Sequence, residues 1–441
     1  MVLIRSIFLC LQATAVFCHQ VCRVVPGDRG WPSEQAWNQL NKTVLGRLVA
    51  TVPAASPCHD PNYDEAACLA KKEQWNLAQT HLLDYKSLEY EGPAMKLGAG
   101  VLSGEAAVAA HQYGYRVVSG GCPSVGIVGG YTQGGGHSSL SGLYGLSADN
   151  VLEWEAVTAD GRHLIATPSQ HTDLYWALSG GGGGSFGVVL SMTVKVHVDG
   201  PVSGGFLSFN DSSIGPDTFW DAVSAFHDKL PSLVDGTGAS VLQFASYFDF
   251  YAAHFGPLSY GAFPISAMIT SRLIPRRDMA DGSEAIHHAL RSSVESGRFY
   301  LGCLGFDASL ASRAATPGNA VLPAWQEALA HCMVMAPWDW TKPYTEMATY
   351  QDEVADVIMP ALEAATPGSG TYSNEGNFQQ KDWQRQFYGE NYEKLLAVKE
   401  RYDPEGLFYV TTGVGSEAWE ADGEGRICPV KTHEGPGKDE L

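Results

Sequence analysis

Positive charge is scarce in this chain: 28 Lys and Arg stand against 48 Asp and Glu, a formal charge of −20. No Lys/Arg run is long enough to follow a phosphate backbone, which argues against nucleic acid as a partner. Long apolar runs are scarce too. The one near the start, Ile7 to Cys18, follows Arg5 and is shorter than the roughly 20 residues a membrane span needs. It reads as a signal peptide (1–18) cleaved near His19, and no later segment is long enough to span a bilayer. There is no internal repeat, and no strand-elbow Gly-x-Ser-x-Gly to support a hydrolase reading of His137 with Ser138. Metal ligands are assigned to no residue.

Cysteine and glycine carry more information. After cleavage Cys22, Cys58, Cys68, Cys122, Cys303, Cys332 and Cys428 remain. In an oxidising lumen most should pair, and the odd count leaves one over, for which Cys122 is the candidate. Cys58 and Cys68 are near enough to close a small loop; the other pairings are not deducible. Asn41-Lys42-Thr43 and Asn210-Asp211-Ser212 are glycosylation sequons. The chain ends in Lys438-Asp439-Glu440-Leu441, the ER-retention address, so the expected location is the secretory pathway, in the ER lumen if that address is read.

The element pattern is α+β. A hairpin is expected over Leu88–Val101, turning at Glu91-Gly92-Pro93, then a helix capped by Ser103 that runs to about Gln112 and stops at Gly114. A strand should follow over Tyr115–Val118. From Val188 to Val196 apolar residues alternate with Val189, Ser191, Thr193 and Lys195, the period of a half-buried strand. Pro201 marks a lobe boundary. Beyond it, a helix with Phe219, Val223, Phe226 and Leu230 on one face and an aromatic strand over Gln243–Tyr251 are expected. A helix should begin near Asn391 and stop before Pro404.

The chemistry concentrates in the glycine-rich stretch from Gly120 to Ser138, with Gly121-Cys122-Pro123-Ser124-Val125-Gly126, Gly129-Gly130 and Gly134-Gly135-Gly136-His137. Glycines let the backbone approach a flat or phosphorylated ligand and turn its N–H groups toward it; a mobile linker is the alternative, against which the interleaved Cys122, Val125, Gln133 and His137 speak. Further on come Tyr144-Gly145-Leu146-Ser147-Ala148-Asp149-Asn150, Asp173-Leu174-Tyr175-Trp176-Ala177-Leu178-Ser179-Gly180 running to Gly184, Tyr372-Ser373-Asn374-Glu375, and Phe387 to Phe408. In order and spacing these resemble berberine-bridge-enzyme-like FAD-linked oxidoreductases over most of residues 84–420. The fungal secondary-metabolite type is the nearest likeness, with which Cys22-Arg23-Val24-Val25-Pro26-Gly27-Asp28 also agrees.

That resemblance implies an α+β fold: part of a PCMH/VAO-type FAD-binding domain (82–198) after an N-terminal segment (19–81), a second α+β substrate lobe (199–365), a C-terminal segment returning to the flavin domain (366–420), and a polar tail (421–441). It implies FAD, with Cys122 as the thioether link to the flavin ring, although a disulfide or buried thiol is the plain alternative. Val125, Gly126, Gly129, Gly130 and His137 would surround the ring and ribityl chain, and Gly180, Gly181, Gly182, Gly183, Gly184 and Val188 the pyrophosphate or adenine end. Tyr372 and Asn374 would reach back over the flavin. Tyr372 and Glu375 are the candidates for a catalytic base, with a solvated turn carboxylate as the plain reading of Glu375. The implied reaction moves a hydride from a small organic substrate to flavin with oxygen as final acceptor. One part of the family pattern is absent. No Arg-x-Thr-Gly-His-like loop precedes the Cys122 segment; the chain passes from Trp75 through His81 to Leu82 without a first βαβ half, and the usual histidine link is missing with it. The alternative function is therefore an impaired or flavin-free descendant that acts as a binding protein. Substrate and oligomeric state are not legible.

Overall fold

The alternating residues after the second glycine run do form a strand, and the first sheet is built around it. In the computed structural model the residues described are 22–43, 56–58, 61–74, 88–91, 94–203, 213–235, 239–244, 267–279, 284–309, 318–422 and 425–430, with a few single positions between them. The signal segment, Asn210, the stretch 75–87, most of Gln243–Tyr251 and the Lys438–Leu441 address lie outside the described residues. Asn41 is within them, in the helix Glu34–Thr43.

The strands are β1 Leu88–Glu91, β2 Ala94–Gly98, β3 Tyr115–Arg116, β4 Val151–Val157, β5 His163–Ala166, β6 Val188–Lys195 and β7 His197–Val198 in the first part. They are followed by β8 Val241–Phe244, β9 Ala267–Pro275, β10 Tyr300–Gly305, β11 Ala328–Pro337, β12 Trp419–Ala421 and β13 Ile427–Pro429. The first sheet has the order β1-β2-β6-β4-β5, the second β8-β10-β11-β9, and every pairing in both is antiparallel. Antiparallel sheets with helices packed on them are an α+β arrangement, as expected.

Locally the sequence rules mostly hold. The hairpin forms, with Glu91 opposite Ala94. The helix Ser103–Gln112 is closed by Gly114 at φ +77°. Its start differs from expectation: Leu102, not Ser103, sits at the cap, and its N–H donates to the Glu105 carboxylate at 3.1 Å. The neighbouring loop makes the difference. The Ser103 and Gly104 N–H groups donate to Val125 O (2.8 Å) and Pro123 O (2.9 Å), so tertiary bonds satisfy the helix start and draw Ser103 into the first turn. The strand at Tyr115 stops at Arg116, paired only to His197–Val198. On the helix Gly215–Val234, Val223 and Leu230 are fully buried and Phe226 packs against the second core, whereas Phe219 is half-buried, its ring tilted against that of Phe209. The helix Tyr392–Tyr402 ends two residues before Pro404.

The apolar face of β6 is buried only in part. Met192, Val194 and Val196 join the first core, but Val188 and Leu190 are 52% and 41% exposed. Opposite them, register shifts in β4 interrupt the pairing.

Three disulfides form: Cys22–Cys428, Cys58–Cys68 and Cys303–Cys332. Cys122 is free, as the odd count suggested. By contacts, residues 52–415 make one unit, and residues 1–51 with 416–441 another. Within the smaller unit β13 and Cys428 give the start of the tail regular structure. No helix of the described residues is long and apolar enough to cross a membrane.

Candidate active site

The Cys122 loop is held by the start of the helix Ser103–Gln112, because the bonds that cap the helix end on Pro123 and Val125. A Cβ on Gly104 would stand 2.8 Å from Pro123 Cβ, so the contact needs glycine. Ile127–Tyr131 then forms a wide turn, and Gly135 and Gly136 take φ +121° and +79°, a region that β-carbons oppose. Across the turn Gly136 N donates to Tyr372 Oη at 3.1 Å.

Tyr372 is brought there by the chain's return along the second sheet. Leu273 N of β9 donates to Gly370 O, and the Ser369 hydroxyl to Leu273 O. The buried Arg272 side chain fixes the same segment, donating to Thr366 Oγ1 (2.8 Å), Thr366 O (2.9 Å) and Gln386 Oε1 (2.6 Å). Just beyond, Asn374 Nδ2 donates to Gly130 O (2.8 Å), Tyr131 O (3.2 Å) and Tyr372 Oη (2.7 Å). The Tyr372–Asn374 pair thus reaches back onto the glycine loop, and a Cβ on Gly134 would overlap the Asn374 amide.

The short turn Ser373–Glu375 aims the Glu375 carboxylate between two imidazoles. His137 Nε2 lies 3.1 Å from Oε1, and His331 Nε2 lies 3.2 Å from Oε2. His331 comes from β11, where the adjacent Cys332 is bonded to Cys303 of β10 and so pins the strand. Trp325, fully buried, closes the wall with ring centroids 5.4 Å from His331 and 5.5 Å from Tyr372. Burial pushes His331 down to about 4, so its ring is neutral near pH 7. Burial also drives Tyr372 well above the usual phenol range, and the Glu375 charge adds to this. Glu375 itself is pulled the other way. Burial would raise it, but the neighbouring imidazoles of His137 and His331, with the His137 hydrogen bond, outweigh that and hold it below the usual carboxylate range. Cys122 is raised to about 11, by burial first and by the Glu375 charge second.

Not every expected residue faces this cluster. Gly126 and Gly129 look onto open space, as does Gly121, where a Cβ would meet nothing within 4 Å. The run Gly180–Gly184 is instead packed against the protein. A Cβ on Gly180 or Gly181 would collide with Val321 or with Ala177 O, and one on Gly183 would stand 2.8 Å from Gly130 Cα. Gly180 N and Gly182 N both donate to Gln133 O, which joins the two glycine segments. Val125 and Val188 are exposed. His331 and Trp325 were missed by sequence reasoning. The visible signal was a histidine inside the apolar run Ala328–Ala336, which by itself reads as a satisfied core residue.

A Cβ at Gly121, Gly126 or Gly129 would meet nothing within 4 Å, and the free Cys122 thiol follows Gly121, so this loop leaves backbone room for the flat ring system of FAD. No described segment supplies a glycine-rich pyrophosphate loop ahead of Cys122.

Residues 371–415 match the berberine and berberine-like family, and residues 66–167 match the FAD binding domain. A VAO-type flavoprotein oxidase from Thermothelomyces thermophilus is 36% identical, over 96% of this chain and 98% of its own. A bifunctional decalin synthase from Penicillium decumbens is 38% identical, over 93% and 96%. The crystal structure of a VAO-type flavoprotein from Myceliophthora thermophila C1 superposes with a TM-score of 0.81 at 35% identity, covering 93% of this chain and all of that one. The chain belongs to the berberine-bridge-like, VAO-type family of FAD-dependent oxidoreductases.

Proposed function

We propose that the protein oxidises a small organic substrate of the secondary-metabolite kind, with Glu375 as the group that accepts the substrate proton. When bound, FAD supplies the two-electron acceptor that takes hydride from a substrate C–H bond, with molecular oxygen as the final acceptor and hydrogen peroxide as its product. The observation that carries this reading is the Glu375 carboxylate, held low and hydrogen-bonded to His137, beside the loop that Tyr372 and Asn374 tie down. Glu375 takes the proton of an adjacent O–H or N–H as the C–H bond breaks. Tyr372, whose phenol accepts two hydrogen bonds and keeps its proton, positions the loop rather than acting as base. Cys122, left free while the other described cysteines pair, is the side chain offered to the ring for a covalent thioether.

Glu375→Gln tests the base. It should lower kcat about 10²–10⁴-fold and leave the visible flavin spectrum in place; an unchanged kcat removes Glu375 from the role. Acid precipitation tests the link, since flavin that stays in the pellet in wild type should be lost from it in Cys122→Ala.

A second reading is supported by length. The alignment to the T. thermophilus relative spans 570 positions, more than the 441 residues here, so parts of that relative have no counterpart in this chain. Together with the absent pyrophosphate loop, this favours a chain that binds flavin weakly or not at all. A colourless purified protein would establish it and end the oxidase reading for this form. The location we propose is the ER lumen. Deleting Lys438–Leu441 should release the protein into the medium, whereas full secretion of the intact chain would refute it.

A further inference from the structure

His137, His331 and Glu375 lie far apart in sequence, and no spacing rule would group them. In space one ligand atom from each falls within 4.8 Å of the others. The two closest separations, 3.1 Å from His137 Nε2 to Glu375 Oε1 and 3.2 Å from His331 Nε2 to Glu375 Oε2, follow from their placement on three different elements. Two ligands on zinc-length bonds at a tetrahedral angle stand roughly 3.3–3.5 Å apart, near both of these separations, so rotation of the side chains that brings the three ligand atoms round one point would admit the ion.

A second observation points the same way. His331 is wholly buried, and neither of its ring nitrogens has a hydrogen-bond partner; Glu375 Oε2, which faces it, has none either. The 3.2 Å approach satisfies the distance of an ion pair but not the direction of a hydrogen bond. Buried polar atoms left without partners are destabilising, because they give up water and gain no hydrogen bond in return. A cation between them would engage His331 Nε2 and the orphaned carboxylate oxygen together.

We propose that His137, His331 and Glu375 form a binding site for a first-row divalent cation, zinc being the best fit. The donor set decides the class. Two imidazoles and one carboxylate match zinc sites with an open fourth position, whereas calcium and magnesium take oxygen ligands. The rings of Trp325 and Tyr372 wall the site and limit solvent ligands. A bound cation draws electron density from the Glu375 carboxylate and makes it a far weaker base, so occupancy suppresses the oxidation. That last consequence rests on the function proposed above; the binding itself does not.

The test uses the full chain, stripped with chelator and without substrate. Zn(II) is titrated in competition with a chromophoric chelator, and Co(II) is followed by its visible d–d bands. One ion per chain is expected, with tetrahedral Co(II) intensity. Glu375→Gln, nearly isosteric, and His331→Asn should each weaken binding at least tenfold, and near-native circular dichroism of the Glu375→Gln protein guards against a folding artefact. Equal affinity in wild type and both variants overturns the site. So does a thiolate-to-cobalt charge-transfer band that vanishes in Cys122→Ala, since it would place the ion on the cysteine. Where flavin-dependent turnover is measurable, zinc should suppress it with the same midpoint as binding. If binding holds and turnover does not respond, the site stands and the role of Glu375 as base falls.

Discussion

Burial raises the Cys122 thiol to about 11, so near neutrality it is protonated and a poor nucleophile. In flavin-free molecules its alkylation by iodoacetamide should therefore be slow at pH 7.5 and should still be climbing above pH 9. The sign follows from the acid: a raised pKa withholds the thiolate until higher pH. Replacing Glu375 by Gln removes the lesser of the two causes, so the profile should move to lower pH, yet stay above the ordinary 9.0 because burial remains. Mass-spectrometric alkylation rates against pH check this, and a plateau reached below pH 9 in wild type would contradict it. That Cys122 stays unpaired was readable from the odd cysteine count. The environment that sets its acidity was not, because Glu375 approaches from a segment some 250 residues away and only the fold brings them together. His331 was illegible for the same reason: a histidine in an apolar strand has the same sequence signature whether it packs or acts.

At the scale of elements, the helix Tyr392–Tyr402 shows how one buried charge holds the glycine turn. Lys399 Nζ donates to Asp403 Oδ2 (2.5 Å), Ser185 O (2.8 Å) and Phe408 O (2.6 Å), and both charged groups are almost fully buried. Ser185 directly follows Gly184, so the ammonium ties the second glycine run to the C-terminal segment. Lys399→Met keeps the chain's bulk but strands the Asp403 carboxylate, which keeps the Leu407 and Phe408 N–H groups but loses its countercharge. The expected cost is about 3–5 kcal/mol, read as a lowered midpoint in denaturant unfolding. A loss below 1 kcal/mol would mean that water replaces the ammonium. Helix and strand positions were largely legible, since the periods at 188–196 and 219–230 and the stops at Gly114 and Pro404 act locally. What failed was the start of the helix at 103, where hydrogen bonds to Pro123 and Val125 overrode the local capping preference, and the strand from Tyr115, which has a partner for only two residues.

Over the whole molecule the family was legible, because its motifs are dense between Gly120 and Gly184 and again after Thr371. The second sheet's contribution to the site was not, since nothing in its sequence carries a motif. Val188 and Leu190 stand exposed at the start of an otherwise buried strand, and exposed apolar residues grouped on a strand call for a cover. The relative from T. thermophilus aligns over more positions than this chain contains, and the family's pyrophosphate loop should stand before the Cys122 segment, where the chain passes straight from Trp75 to Leu82. The N–H groups of such a loop neutralise the diphosphate, so without them FAD loses its most strongly charged anchor. We therefore predict that the 441-residue chain holds flavin through Cys122 alone or not at all. Inserting the corresponding segment of that relative between Trp75 and Leu82 should restore a yellow protein with one flavin per chain and a higher unfolding midpoint. Transcript sequencing across the same junction bears on the origin: an in-frame exon there would mean that the intact protein carries the missing half. If instead the chain as it stands binds flavin stoichiometrically and keeps it after Cys122→Ala, the remaining residues suffice and the missing-anchor argument is wrong.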